Sequence, residues 1–389
     1  MQRRLELDAL RGLMLVWITL THLPTIVSRY VNQPFGFFAA TEGFIFLSAL
    51  FTGLIYFRLA ERNGWLAMFR KLWLRTGRLY GYHLSLLALA FLVGAPIAAH
   101  GYRPAVHNLL DFYFAAGRTR AFIDAALLLY RPPLLDILPI YIIFLALTPF
   151  ALALASRLGW KYILGGSFVF WLFAQFGFRR LTHELLSRAF GLQIPLNEMG
   201  AFDLWAWQFW WFIGVWLGVR WAKGDLHLED WAQQVTIPAF LVMLFFLGLR
   251  YGQVAGVVGV GRFAFVLNKW SFGLGRMIDF AAVAALAIRF QSFLKPLAIR
   301  PLVTLGQASL EVFCVHLLCV FCALTLVGGN SILVGWRAAA AVLLSLSALW
   351  LTGRVIANRR ANERARLQPK VQALPRPGFE AEPAPEKAA

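Results

Sequence analysis

The stretch Arg4-Leu-Glu-Leu-Asp8-Ala-Leu-Arg11-Gly-Leu-Met-Leu-Val-Trp-Ile-Thr-Leu-Thr-His22 decides the fold. Its apolar middle suits a bilayer, yet charges frame one end and a histidine the other. In a continuous helix Asp8, Arg11 and His22 follow Arg4 at offsets of 4, 7 and 18 residues. At 100° per residue all four fall within roughly 40° of one line. The stripe ends at His22, about 16 Å beyond Arg11 at 1.5 Å per residue. Pro24 then ends or kinks the helix.

The rest of the chain extends this pattern. Of 389 residues, 60% are hydrophobic and only 14% charged, with a mean hydropathy of +0.65. A soluble domain carries nearly twice that share of charge, so a soluble globular fold is excluded. Apolar runs of about 20 residues, the length that crosses a bilayer as a helix, recur at 10–29, 36–57, 79–99, 138–155, 160–178, 204–222, 234–250, 273–290, 302–327 and 332–353. This predicts an all-α polytopic membrane protein of about ten transmembrane helices. Residues 1–353 form the transmembrane domain, and 354–389 a basic, then Pro/Ala/Glu-rich disordered tail.

The net charge is +18. With the N-terminus in the cytoplasm, 24 of the 37 Lys and Arg fall in inside segments and 12 in outside ones. That bias places both termini in the cytoplasm. The basic surplus is a topology signal, so nucleic acid is excluded as a partner. The long outside segments 100–137 and 179–203 read as re-entrant or interfacial helices. Cys314, Cys319 and Cys322 all fall in the ninth span and read as packing residues. No metal site is expected.

Ionisable groups within a membrane cost about 2.5–3.5 kcal/mol each on insertion scales, which marks them as functional candidates. His22 has the chemistry of a general base for a sugar hydroxyl, because an unperturbed imidazole titrates near 6.5. Glu42 is expected at nearly the same depth. It is read as orienting the imidazole, serving as a second acid/base, or touching headgroups. Ser48 and Thr52 read as helix-packing residues. Arg276 and Asp279, at i,i+3 spacing, read as a mutually neutralising pair. In the ninth span His316 shares a face with Ser309, while Glu311 needs a buried partner, Arg276 or Lys269. Asp136 and Gln208 sit at outer helix ends, suited equally to binding sugar or to solvation. Trp205, Trp207, Trp210 and Trp211 read mostly as an interfacial belt, with stacking on a sugar ring a lesser option for Trp205. No His-x-x-x-x-Asp box, Walker loop or nucleophile elbow is present.

These motifs together resemble a known family. The Leu-Asp8-Ala-Leu-Arg11-Gly opening with His22 eleven residues later, Glu42-Gly-Phe-Ile-Phe-Leu-Ser48, and Leu305-Gly-Gln-Ala-Ser309-Leu-Glu311-Val-Phe-Cys-Val-His316 resemble the membrane-bound acyltransferase-3 superfamily. Adding Leu135-Asp136-Ile-Leu-Pro-Ile-Tyr141, they most resemble its OpgC family, which succinylates osmoregulated periplasmic glucans. Ala49 departs from the glycine usual there.

The resemblance implies a bacterial inner-membrane enzyme with no tightly bound cofactor. Acyl-CoA, in particular succinyl-CoA, is the donor, and a periplasmic glucan the acceptor. Arg4 and Arg11, with Asp8 between them, would engage the CoA phosphates. His22 would act as general base or transient acyl acceptor, assisted by Glu42. Arg262, Lys269 and Arg276 are candidates for pairing with a substrate carboxylate. Membrane lipid is the other expected partner, and a homo-oligomer is allowed. The competing readings are O-acetylation of another exported polysaccharide, or a glycan or acyl-carrier transporter.

Overall fold

The computed structural model of the chain describes residues 5–101, 103–259, 261–327 and 332–372; for 262 and 364–372 it describes the backbone only. Arg4 lies outside the described residues. Among them the regular structure is helical, apart from one isolated bridge, Thr25 to Leu333.

The main helices are α1 (Leu5–His22), α2 (Ala40–Asn63), α3 (Trp65–Leu89), α4 (Ile137–Leu158), α5 (Trp160–Gln175), α6 (Phe178–Phe190), α7 (Leu204–Lys223), α8 (Thr236–Val254), α9 (Leu274–Arg289), α10 (Arg300–Gln307), α11 (Ser309–Thr325) and α12 (Gly335–Gln372). A helix stands at each of the ten expected spans. Among the described residues five segments are long and apolar enough to cross a membrane, or up to seven if each bent pair counts as one. The helix at α3 continues to His100, and the one at α12 to Gln372.

The ninth expected span is not one helix. At Ala308 the chain bends by 94° between α10 and α11. Helix α10 lies against α1 at the closest approach two backbones allow. A Cβ on Gly306 would sit 1.7 Å from the Asp8 carbonyl oxygen, and one on Gly12 2.0 Å from that of Leu302. Helices α2 and α7 cross on the same principle, which suits a lipid setting where small residues let helices meet. A Cβ on Gly53 would meet the Val215 carbonyl oxygen at 2.1 Å, and one on Gly218 that of Leu50 at the same distance. Ala49 is fully buried beside Gly214, where a Cβ would come within 2.7 Å of its own. Glycine on the facing helix thus makes room for alanine at that position.

Three tryptophans of α7 are core rather than belt. Trp207, Trp210 and Trp211 are buried, and each indole N–H has a partner: the Trp270 carbonyl at 3.0 Å, the Glu42 carbonyl at 3.2 Å and Thr148 Oγ1 at 2.9 Å. A buried indole is stable only when its N–H is satisfied, and here the bundle supplies the acceptors. Gln208 ties α7 to α5 through Ser167, donating to its carbonyl at 2.7 Å.

Residues 100–137 are not a bare loop. Short helices at Pro104–Leu109, Asp111–Ala116 and Arg118–Ala126 bury Val106, Phe112, Tyr113, Ala121 and Ala125. Helix α6 buries no residue, exposing Leu181, Leu185 and Phe190 beside Arg180 and Arg188. That is the composition of a helix lying in an interface.

Candidate active site

The last residue of α1 meets α11. His22 Nδ1 lies 3.1 Å from His316 Nε2, and the rings stack with centroids 5.4 Å apart. His316 is fully buried, and its Nδ1 lies 2.9 Å from the Phe313 carbonyl oxygen. A carbonyl only accepts, so His316 Nδ1 donates to it. In a neutral His316, Nε2 is then the lone-pair nitrogen and accepts from His22 Nδ1–H. The nitrogen left on His22 is Nε2, with its lone pair free to take a proton. His22 is only partly buried, so this nitrogen belongs to the accessible member of the pair. The sequence singled out both histidines but did not pair them. The two lie 294 positions apart in sequence, on separate helices. The Pro24 carbonyl accepts from Leu333 N at 2.6 Å, tying down the chain just beyond His22.

Glu42 has a different partner from the one expected. It is fully buried in the first turn of α2, where one oxygen accepts from Ala39 N. The other accepts from Arg276 Nε at 2.8 Å and from its Nη2. Among the described residues neither oxygen bonds to His22. The expected Arg276–Asp279 pair does not form, because α9 turns both groups toward the segment before α2. Asp279 Oδ2 accepts from Phe37 N at 2.6 Å and Phe38 N at 3.1 Å. Gly36 makes this approach possible: its φ is +118°, and a Cβ would sit 2.4 Å from Asp279 Oδ2. Arg276 and Asp279 thus clamp residues 36–42 onto α9.

At the other end of α1, Arg11 donates to Ser309 Oγ and stacks its guanidinium 5.0 Å from the Phe51 ring. Asp8 is buried and accepts from Gln307 Nε2 at 3.3 Å. A narrow crevice is lined by Ser309, Arg75, Tyr141, Phe44 and Phe313. Phe313 stacks on Phe44 at 5.6 Å and packs against His316 at 5.0 Å. Ser48 is buried on α2.

Arg75 is the residue the sequence reading missed. It donates to Tyr141 Oη at 3.0 Å, and Thr52 Oγ1 lies 3.5 Å from its other terminal nitrogen. Counted among the basic residues flanking a span, it gave no sign of entering the bundle. The only available signal was the uninterrupted helical pattern through residue 75.

Glu311 is placed elsewhere. Its partner is Arg360 of α12 at 3.1 Å, rather than Arg276 or Lys269. Arg360 also donates to the Gln307 carbonyl at 2.6 Å. The bend at Ala308 accounts for the correction, since it puts Glu311 in the first turn of a new helix beside α12.

Beyond His22 a set of charges gathers around the start of α4 and α7. Asp136 precedes α4, is buried, and accepts from Ala201 N at 3.1 Å. Burial pushes its carboxyl up to about 6, against the pull of that hydrogen bond and of Lys269 and Arg131. Asp203 caps α7 through Trp205 N at 2.9 Å, and burial raises it too. Burial and the neighbouring Arg179 charge pull Arg131 down to about 10. Burial likewise lowers Lys269, while Glu42 and Asp136 pull it back up.

No curated protein and no solved structure matches this chain. A family model described as OpgC protein matches residues 3–361, a span that takes in the histidine pair, the Glu42–Arg276 clamp and the crevice. The chain therefore belongs to the OpgC family and is a membrane acyltransferase of the glucan-modifying kind.

Proposed function

We propose that this chain transfers succinyl from cytoplasmic succinyl-CoA to glucose hydroxyls of a periplasmic glucan, across the bacterial inner membrane. All ten helical segments cross or enter the bilayer in this reading, with both termini in the cytoplasm. The two-to-one bias of basic residues supports that orientation. CoA phosphates engage the Arg4 and Arg11 end of α1. The acylated pantetheine arm runs along α1 from Arg11 toward His22, a distance of about 16 Å and of the order of the arm's length. No phosphate then has to leave the cytoplasmic side.

His22 is the general base. Its Nε2 takes the proton of a glucan hydroxyl as that oxygen attacks the thioester carbonyl. The C–O ester bond forms and the C–S bond breaks. The imidazolium returns its proton to the departing CoA thiolate, leaving thiol and neutral imidazole. His316 acts as a positioning residue, since its Nε2 holds the His22 Nδ1–H in one orientation throughout. The Glu42–Arg276 pair holds the turn before α2 in place and carries no proton.

The observation that carries this reading is the His22–His316–Phe313 hydrogen-bond chain, eleven residues along α1 from the Arg11–Ser309 contact. It is tested by mass spectrometry of periplasmic glucans from a deletion strain carrying the wild-type gene or His22→Ala. Succinyl esters are expected with the wild type alone. Succinylation that persists in the deletion strain overturns the reading. Acetyl esters in place of succinyl move the donor to acetyl-CoA, and unmodified glucan trapped in the cytoplasm favours a transporter.

A further inference from the structure

An open notch on α3 is lined by Arg70, Trp73, Leu74, Gly77 and Arg78. All five residues are exposed and fall within about 80° of Arg70 around the helix. Met68, Leu72, Leu79 and His83, which α3 buries, lie on the opposite side. The notch therefore faces away from the protein. Among the described residues neither guanidinium has a hydrogen bond or an ion pair, and the ammonium of Lys71 beside them has none. From Trp65 to His100 the chain holds no Asp or Glu that could neutralise these three charges. Trp73 forms one wall, its ring set edge-on to Phe150 of α4 at 6.1 Å. A Cβ on Gly77, or on Gly81 one turn later, would meet nothing within 4 Å.

The depth of the notch follows from helix length. The run from Trp65 to His100 spans 36 residues, about 54 Å of helix at 1.5 Å per residue. The hydrocarbon core of a bilayer is only about 30 Å thick. Residues 79–100 contain no Lys, Arg, Asp or Glu and rise about 33 Å, enough to cross that core alone. Arg78 is then the last charge before the hydrocarbon, and Arg70, Lys71 and Trp73 lie in the turns just outside it. The notch opens at the depth of the lipid phosphates, on the side that the basic bias assigns to the cytoplasm. Inward of it the same exposed face continues without charge. Gly81, Ser85 and Leu92 follow Leu74 by 7, 11 and 18 residues, within about 20° of it around the helix.

Charge selects the occupant. A second copy of the chain packed here by a two-fold axis would set Arg70 and Arg78 against another such pair, and like charges brought together repel. A phosphate supplies the missing opposite charge, and the planar guanidinium fork matches its oxygens. We propose that the notch binds an anionic phospholipid, with its phosphate held by Arg70 and Arg78 and one acyl chain laid along Gly77 and Gly81. Basic pockets on the cytoplasmic side of membrane proteins hold anionic headgroups in this way. The ligand is a constituent of the membrane, so the proposal stands independently of the acyl-transfer reading.

The test titrates full-length protein in detergent with phosphatidylglycerol or phosphatidylcholine, while native mass spectrometry reads the fraction of protein carrying one lipid. Wild type is expected to bind phosphatidylglycerol more tightly than phosphatidylcholine. Arg70→Gln and Arg78→Gln should each weaken phosphatidylglycerol about fivefold, and the double variant about twenty-five-fold. Gly77→Leu with Gly81→Leu keeps both charges but fills the path of the acyl chain, and should also weaken binding. These positions are exposed, so every variant should melt with wild type, which separates lost binding from lost fold. A folded double arginine variant that binds phosphatidylglycerol within about twofold of wild type overturns the proposal. Equal binding of the two lipids by wild type overturns it as well. Displacement of phosphatidylglycerol from wild type by succinyl-CoA would assign the notch to the donor and overturn the lipid assignment.

Discussion

Replacing Arg276 by methionine isolates the clamp that holds the turn before α2. The guanidinium is 2% exposed and its partner Glu42 is 0% exposed. The substitution keeps much of the volume but removes two charge-assisted donors from one carboxylate oxygen. The Ala39 N–H remains on the other oxygen, so Glu42 is left half-satisfied and buried. Removing one partner of a buried pair costs about 3–5 kcal/mol, because the surviving charge has no water to return to. At about 2–4 °C per kcal/mol for a sizeable domain, the melting temperature in detergent should fall by roughly 6–20 °C. Adding Glu42→Leu to Arg276→Met should restore much of the loss, since no charge is then stranded. Asp279→Asn should cost far less, because an amide oxygen still accepts from Phe37 N and Phe38 N. The reasoning fails if Arg276→Met melts within about 2 °C of wild type. It fails equally if Arg276 couples to Asp279 rather than to Glu42 in the double-mutant cycle.

Other expectations follow from single contacts. Gly306→Ala puts a Cβ 1.7 Å from the Asp8 carbonyl oxygen, so α10 must leave α1; yield of monodisperse protein should collapse, whereas Gly165→Ala, with open space around it, should be neutral. His316→Ala should lower kcat by about a hundredfold, the scale of a misplaced catalytic group, with the donor KM nearly unchanged and the protein still folded. Asp136 titrates at about 6 when folded and 3.8 ordinarily, so the folded chain holds the proton more tightly. Its contribution to stability is present below about pH 4 and is lost as pH rises through about 6. Melting curves between these limits should fall in wild type relative to Asp136→Asn, and parallel curves would remove Asp136 as the cause.

The sequence made some of this architecture legible and left other parts out of reach, for physical reasons. Hydropathy placed a helix at every expected span because lipid requires long apolar helices with internally satisfied backbones. The polar stripe on α1 was readable because 3.6-residue periodicity is local. The break at Ala308 was not, since Ser309 onward is as apolar as a continuous span and α10 is held against α1 by contacts distant in sequence, Gly306 with Asp8 and Gly12 with Leu302. The same break moved Glu311 to Arg360 and brought His316 to His22. Arg276 and Asp279 sit three residues apart, so local spacing pointed to a mutual pair. Their real partners lie more than 230 positions away in sequence, and no periodicity reports on such a distance. Trp207, Trp210 and Trp211 looked like a belt because composition does not reveal whether an indole N–H has found an acceptor.

The central claim is that His22 removes the proton from the acceptor hydroxyl. It is tested most directly by measuring transfer of radiolabelled succinyl from succinyl-CoA to glucan in membrane vesicles, with wild type and His22→Ala at matched amounts of folded protein. The account predicts that label enters glucan with wild type and falls to background with His22→Ala. Labelling by His22→Ala at the wild-type rate would contradict it.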